Sequence, residues 1–475
     1  MPVTDLHPRA EGNTEQTEPF AVAVIGAGAS GVLVAAQFLR QAEATARLAL
    51  IGADARAGRG VAYDTPYRSH LLNVPAGNMS AFPDDQDHFV RWLNGRLPQA
   101  TAGTFAPRML YGDYLADILA QYAARPTLQR FAATAVRLTR HNDLWQIHLT
   151  DGHRVSAACV VLALGNLLPP YDPVQLNREA VPAYVPNPWS PDVARGLAAN
   201  VPVLVIGTGL TMVDVVLGLR EQGHQGQIVA ISRNGRLSQA HAPYTPRPLP
   251  DLPYEITSPR QALRWLRREI TAAQHEGYNW RAVIDSLRPY TAVIWRQWSI
   301  GERASFLRHA RSLWDIHRHR MPAQAAMLLT NLIEQKILAI HAGQITAVSA
   351  TEQGVNVTWQ PAGTKDTQRL TVARVINCTG PARDYTSVTL PLIAGLRDAG
   401  WLTPDPLKLG WATDDDGRLI GSDGQATPGL FTLGPPRIPG LWESLAMPEI
   451  RHQAADLGQL LAYETAQTAV TTSNP

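Results

Sequence analysis

The chain has 475 residues, 45% hydrophobic and 17% charged, a globular composition long enough for two or three domains with cores of their own. A formal net charge of +2 gives no bulk attraction for nucleic acid or for an anionic membrane surface. The two cysteines, Cys159 and Cys378, sit far apart inside apolar runs and form no C-x-x-C, which suits buried thiols in a reducing compartment and excludes a dithiol relay.

Residues 1–19 are polar, without the apolar core of a signal peptide, and no apolar run reaches the roughly 18 residues of a membrane helix. A disordered leader on a cytoplasmic protein is expected, with neither membrane nor nucleic acid as partner. The chain then opens with Ala21 to Ala36, AVAVIGAGASGVLVAA, which reads as strand, glycine turn and helix. The G-x-G-x-x-G spacing from Gly26 to Gly31 makes a tight turn, lets backbone approach a pyrophosphate, and sets the phosphates at a helix N-terminus. A second strand, Arg47 to Ile51, ends on Gly52 where a ribose-binding acid is usual, and Asp54 is the substitute.

The stretch Gly58 to Leu93 is rich in turn formers yet carries apolar patches, as a loop wrapped around a ligand would. From Ala132 to Gly165 the pattern is a hairpin followed by a buried parallel strand, Cys159 to Leu164. Pro169 to Pro191 makes a linker.

At Val203 the opening pattern returns: VLVI, the close glycine pair Gly207 and Gly209, then a helical run. The following strand ends in Ser232-Arg233, and an arginine there accommodates a 2′-phosphate, favouring NADPH over NADH. Leu237 to Gln335 is an insertion with helical patterns at Arg260 to Ala273 and Arg281 to Leu287. Its arginines from Arg308 to Arg320 face either an anionic ligand or water, and His317 and His319, two apart on a helix, do not make a metal pair. A hairpin and a second buried strand, Val375 to Thr379, then close on Gly380, so two units share one plan. The C-terminal part carries GLFTLGP from Gly429 to Pro435 and an amphipathic helix from about Pro448 to Tyr463.

With two glycine turns, the strand ends Leu164-Gly165 and Thr379-Gly380, and the closing Thr432-Leu433-Gly434, the chain resembles flavoproteins with two dinucleotide-binding domains, such as flavin-containing monooxygenases and amine N-hydroxylases. GRGVAYDTPYRSHLLNVPAGNMSAFPDD, RMLYGDYL, NPWSP, FLRHARSLWDIHRHRMP and GPPRIPGLWESLAMPEIRHQA are similar to a bacterial family of FAD/NAD(P)-binding proteins of unsettled substrate. The resemblance implies an α/β fold with two Rossmann-like dinucleotide-binding domains, for FAD and NADPH, and a helical insertion. The expected divisions are an FAD domain at 20–185 and 346–475 and an NADPH domain at 196–345 with the insertion at 237–335.

The resemblance places FAD on Gly26, Gly28, Ser30 and Gly31, with Leu72, Asn73, Met79 and Ser80 approaching the flavin and Gly165 and Gly434 close to it. NADPH falls on Gly207, Gly209, Leu210, Thr211 and Arg233. Two departures stand out: Gly52 lacks the ribose acid, and Pro435 replaces the aspartate that binds the ribityl chain. The expected activity is a single-component monooxygenase that oxygenates a small nitrogen, sulfur or carbonyl centre with O2 through a peroxyflavin, needing no strong side-chain acid or base. The alternatives are an NADPH-dependent flavin reductase or dehydrogenase and a non-catalytic FAD-holding redox sensor. Expected substrate contacts are His241, Arg318, Arg320, Trp442 and Glu443.

Overall fold

The computed structural model describes residues 18–53, 56–167, 183–248, 255–352, 354–382 and 384–472. Asp54 and residues 1–17 of the expected leader lie outside them. The chain first lays down β1 (Phe20–Ile25), β2 (Leu48–Ile51), β3 (Leu128–Phe131), β4 (Ala135–His141), β5 (Leu144–Leu149) and β6 (Arg154–Leu162). It continues with β7 (Tyr184–Val185), β8 (Val203–Ile206), β9 (Ile228–Ser232), β10 (Leu338–Thr351), β11 (Gly354–Pro361), β12 (Gln368–Val372) and β13 (Arg374–Asn377), and closes with β14 (Arg418–Ile420) and β15 (Ala426–Thr432).

These strands form two sheets. One has the order β14-β15-β6-β1-β2-β3, with β5 bridging β4 and β6; the other has the order β12-β11-β10-β9-β8-β13-β7. The central strands β1 and β8 are nearly continuous apolar runs because parallel strands are covered on both faces. Val22 and Val24 face the helices Ala29–Gln41 and Met447–Thr472, while Ala23 and Ile25 face the layer under the β4–β5 hairpin.

The expected return to the first unit at residue 346 is too early. β10 pairs parallel with β9 through Ala342 and then antiparallel with β11, and β13 lies beside β8, so the second unit runs through Asn377. Tyr184 and Val185, expected at the end of the first unit, also pair in the second sheet, with β13. A hairpin leaving one sheet has the same two-residue alternation as one entering another, and strand pairing alone distinguishes them. The insertion is helical, as expected, with helices Pro259–His275, Trp280–Ser286, Thr291–Gln297, Ile300–His309, Arg311–Arg318 and Ala323–Glu334. Among the described residues no helix is long and apolar enough to cross a membrane.

Candidate cofactor and substrate site

The two glycine turns are anchored by the same backbone hydrogen bonds. Gly26 N–H donates to Ile51 O and Gly207 N–H to Ile231 O, each at 2.8 Å, while Ala163 N–H donates to Ile25 O and Cys378 N–H to Ile206 O, also at 2.8 Å. The φ angles of Gly26 and Gly207 are +113° and +114°, and a Cβ there would meet the carbonyl oxygens of Ala163 and Cys378 at 2.3 and 2.4 Å. Only glycine satisfies both the backbone sign and the close approach. Gly31 serves the turn itself, since its Cβ would fall 1.8 Å from Gly26 O.

Gly28 and Gly209 behave differently. A Cβ on Gly28 would meet only Gly60, at 3.6 Å, and one on Gly209 would meet nothing within 4 Å. Both are helix N-caps without a side-chain cap, and neither following helix has an acid in its first turn, so the leading amides stay available to phosphate. These cradles, which a Cβ would fill, fit dinucleotide pyrophosphates.

The first turn faces a cavity of about 370 Å³ lined by Gly26, Gly28 and Ser30, and by Gly165, Thr211 and Gly380. The segment Gly58–Tyr63 covers it, held by Gly58 N–H donating to Ala27 O at 2.7 Å. The missing ribose acid has a packing reason: a Cβ on Gly52 would lie 2.6 Å from the Ala27 Cβ. Two cations not singled out in the sequence, Arg59 and Arg108, line the same cavity. Arg59 is paired with Asp113. Gly209, by contrast, is exposed, so the second turn is open to an exchanging ligand.

A second cavity of about 260 Å³ adjoins the first, sharing Ala62, Tyr63, Arg108, Leu445 and Met447 with it. It brings together Leu72, Asn73 and Met79 with Trp442 and Glu443, and adds Asp315 and His319. The 71–79 segment is fixed by Leu72 N–H to Ala106 O at 2.8 Å and by Arg108 Nε to Leu71 O at 3.0 Å. The Glu443 side chain, 8% exposed, is oriented by Arg318 Nη2 at 3.1 Å and by Trp314 Nε1, which donates at 3.2 Å.

Several expected contacts stand elsewhere. Ser80 is fully buried and its hydroxyl donates to Asp85 O at 2.6 Å, closing a turn. The Gly434 N–H donates to Gln453 Oε1 at 2.9 Å, and Pro435 lines the cavity instead. Leu210 packs into the second core, and the Ser232 hydroxyl is used by Thr208 at 2.8 Å and Gly235 N–H at 3.0 Å. Arg233 is exposed at the end of β9, next to Arg236, which donates to Ser312 Oγ at 2.6 Å. Neither Arg318 nor Arg320 lines a cavity: Arg318 is buried against Glu443 and Glu449 of the C-terminal segment and acts through Glu443, while Arg320 pairs with Asp285 inside the insertion. His241 Nε2 meets Asn73 O at 3.0 Å and positions that loop, its pKa lowered to about 4 by burial and by Arg320. The chain's repeats and glycines announce the turns, but these side chains are placed by packing that no local spacing encodes.

A buried clamp joins the two units under the cavities. Arg108 Nη1 lies 2.9 Å from Asp214 Oδ2, and His70 Nε2 lies 2.8 Å from Asp214 O. At the exposed edge of this contact the Glu221 carboxylate accepts from the backbone amides of Arg68 and Ser69 at 3.1 and 2.9 Å. Burial pushes the Asp214 carboxyl up to about 6 even beside Arg108, and lowers His70 to about 4.

Residues 23–167 match a family described as FAD-NAD(P)-binding. No curated protein sequence matches the chain. Among solved structures, L-lysine 6-monooxygenase from Pseudomonas syringae is 17% identical with a TM-score of 0.68, over 94% of this chain and 99% of that one. Kutzneria sp. 744 ornithine N-hydroxylase, solved with reduced FAD, NADP+ and L-ornithine, is 13% identical with a TM-score of 0.61, over 94% and 99%. The FAD-bound cadaverine monooxygenase from Erwinia amylovora is 11% identical with a TM-score of 0.63, over 94% and 95%. The chain therefore has the fold of these monooxygenases across nearly its whole length, with two dinucleotide-type units and a helical insertion.

Proposed function

We propose that the protein is an FAD-dependent, NADPH-consuming monooxygenase acting on the nitrogen of a small amine. One observation carries this reading: the cavity rooted on Gly26, Gly28 and Ser30 adjoins, across Tyr63 and Arg108, a second cavity walled by Trp442 and Glu443. Overall, the amine, O2, NADPH and a proton give the hydroxylamine, water and NADP+; one oxygen atom enters the N–H bond and NADPH supplies the two electrons that reduce the other.

FAD, held on the first turn, supplies the redox chemistry and the reaction with oxygen. The amides of the Gly28 turn and helix hold its pyrophosphate, with Arg59 and Arg108 as the neighbouring cations. Leu445, Met447 and Tyr63 exclude water where the cavities meet. Glu443 and Asp315 offer acceptors to an amine. The second turn, Gly207 to Thr211, is exposed at Gly209 and takes NADPH, which must exchange at every turnover, whereas the first, with Gly28 half-buried beside Gly60, keeps a resident cofactor. A reducing cytoplasmic setting suits the two free buried cysteines, Cys159 and Cys378.

The nicotinamide assignment has its own test. Arg233→Ala should raise KM for NADPH about tenfold, roughly 1.4 kcal/mol, and leave KM for NADH unchanged. An equal effect on both would remove Arg233 from the 2′-phosphate site.

A further inference from the structure

The helical insertion lines a third cavity, of about 420 Å³, within the range of about 300–1,000 Å³ typical of small-molecule pockets. Its lining includes Trp265, Trp280, Trp295, Trp298, Trp314 and Trp442, half of the chain's 12 tryptophans. The indole N–H groups of three are committed elsewhere: Trp295 to Pro439 O at 2.8 Å, Trp298 to Ile256 O at 2.9 Å and Trp314 to Glu443 at 3.2 Å. What these rings turn inward is hydrocarbon, and the walls come from five helices of the insertion, from Pro259–His275 to Arg311–Arg318. The rim carries exposed Leu263 and Leu313, each 37% accessible.

Trp442 belongs both to this cavity and to the one walled by Glu443. It adopts φ +58°, a conformation that a bulky residue rarely takes and that strained functional segments retain. Stacking on Trp295 at 4.7 Å and edge contact with Phe306 at 5.0 Å hold it there. The turn thus sets an aromatic ring against the apolar cavity and, one residue later, a carboxylate into the polar one. The polar cavity also holds Asp315, on the same helix as Leu313 and Trp314 of the apolar wall.

We propose that the substrate is amphipathic: an amine whose nitrogen lies by Glu443 and Asp315 and whose aromatic or medium-chain alkyl body fills the tryptophan cavity. This rests on the monooxygenase reading of the same site and adds the substrate's chemical class. Apolar burial then supplies affinity while the acidic pair fixes the nitrogen.

The test uses the FAD-loaded protein and the n-alkylamines from butylamine to decylamine, with lysine, ornithine and cadaverine as polar comparisons. Binding is read without NADPH by tryptophan fluorescence and calorimetry, and turnover separately by NADPH consumption and hydroxylamine formation. Affinity should rise about fourfold per methylene until the cavity is full, following about 0.8 kcal/mol per buried CH2. Ala262→Trp, which fills the cavity, and Leu313→Gln, on its accessible rim, should each flatten that dependence; if the first fails to fold, the second carries the test. Decylamine binding no tighter than butylamine, or a chain-length dependence untouched in both variants, would overturn the proposal. Rising affinity without oxygenation would keep the cavity assignment and sink the monooxygenase reading. Oxygenation of the diamines with flat alkylamine binding would do the reverse.

Discussion

Replacing Gly28 by alanine is expected to cost about 100-fold in FAD affinity, near 2.7 kcal/mol, while the protein still folds. Gly28 has φ −76° and ψ −167°, an extended conformation open to any residue, and its new Cβ would sit at ordinary contact distance, 3.6 Å, from Gly60. Only a ligand drawn against the backbone would feel the methyl. The matched change Gly209→Ala meets no protein atom within 4 Å and should leave FAD in place but raise KM for NADPH. Gly26→Ala belongs to another class, because its Cβ would enter the Ala163 carbonyl at 2.3 Å with φ at +113°, and it should lower the melting temperature itself. Flavin content, NADPH kinetics and thermal melts on the three variants separate cofactor binding from folding. Wild-type FAD affinity in Gly28→Ala, or flavin loss in Gly209→Ala, would reverse or remove the assignment of the two turns.

The second large effect is expected at the clamp. Arg108→Met leaves the Asp214 carboxyl buried without its cation, and breaking a buried pair in this way costs about 3–5 kcal/mol. Adding Asp214→Asn should recover much of that loss, since a neutral amide needs no counter-charge. The pH dependence gives an independent sign. Asp214, raised from 3.8 to about 6 in the folded protein, contributes stability that is complete below pH 4 and fades as pH rises through 6. His70, lowered from 6.5 to about 4, contributes stability present above pH 6.5 and lost as pH falls through 4. Without Arg108 the Asp214 contribution grows, so the variant should lose more stability at pH 8 than at pH 5.5, and Asp214→Asn should erase that difference. Chemical denaturation at the two pH values is the readout, and a pH-independent loss would mean that Arg108 stabilises through packing alone.

The parts of this molecule legible in the sequence are those fixed by local backbone chemistry. Gly26 and Gly207 announce their turns because only glycine tolerates the conformation and the neighbouring carbonyl, and Ala163 and Cys378 lie at the ends of apolar runs that could be read as partner strands. Gly165, Thr211, Gly380, Asn73, Met79, Trp442 and Glu443 do gather on two adjoining cavities. What stayed hidden depends on long-range pairing. Arg108 begins a helix far from Asp214 in sequence, and nothing in its surroundings foretells the 2.9 Å contact. Ser80, His241 and Arg320 are polar residues near the right segments, yet each satisfies a hydrogen bond or a charge inside the protein. The tryptophan cavity was equally invisible, because its aromatic residues scatter over several short helices and converge only once those helices pack.

The most direct test of the monooxygenase reading is the fate of oxygen. The FAD-loaded protein should be supplied with NADPH, an alkylamine and O2 labelled with oxygen-18, and product mass measured against NADPH consumed. One labelled atom in the hydroxylamine, in amounts approaching the NADPH oxidised, is the predicted result. NADPH oxidation with all the consumed oxygen recovered as hydrogen peroxide, for the alkylamines and the diamines alike, would contradict it.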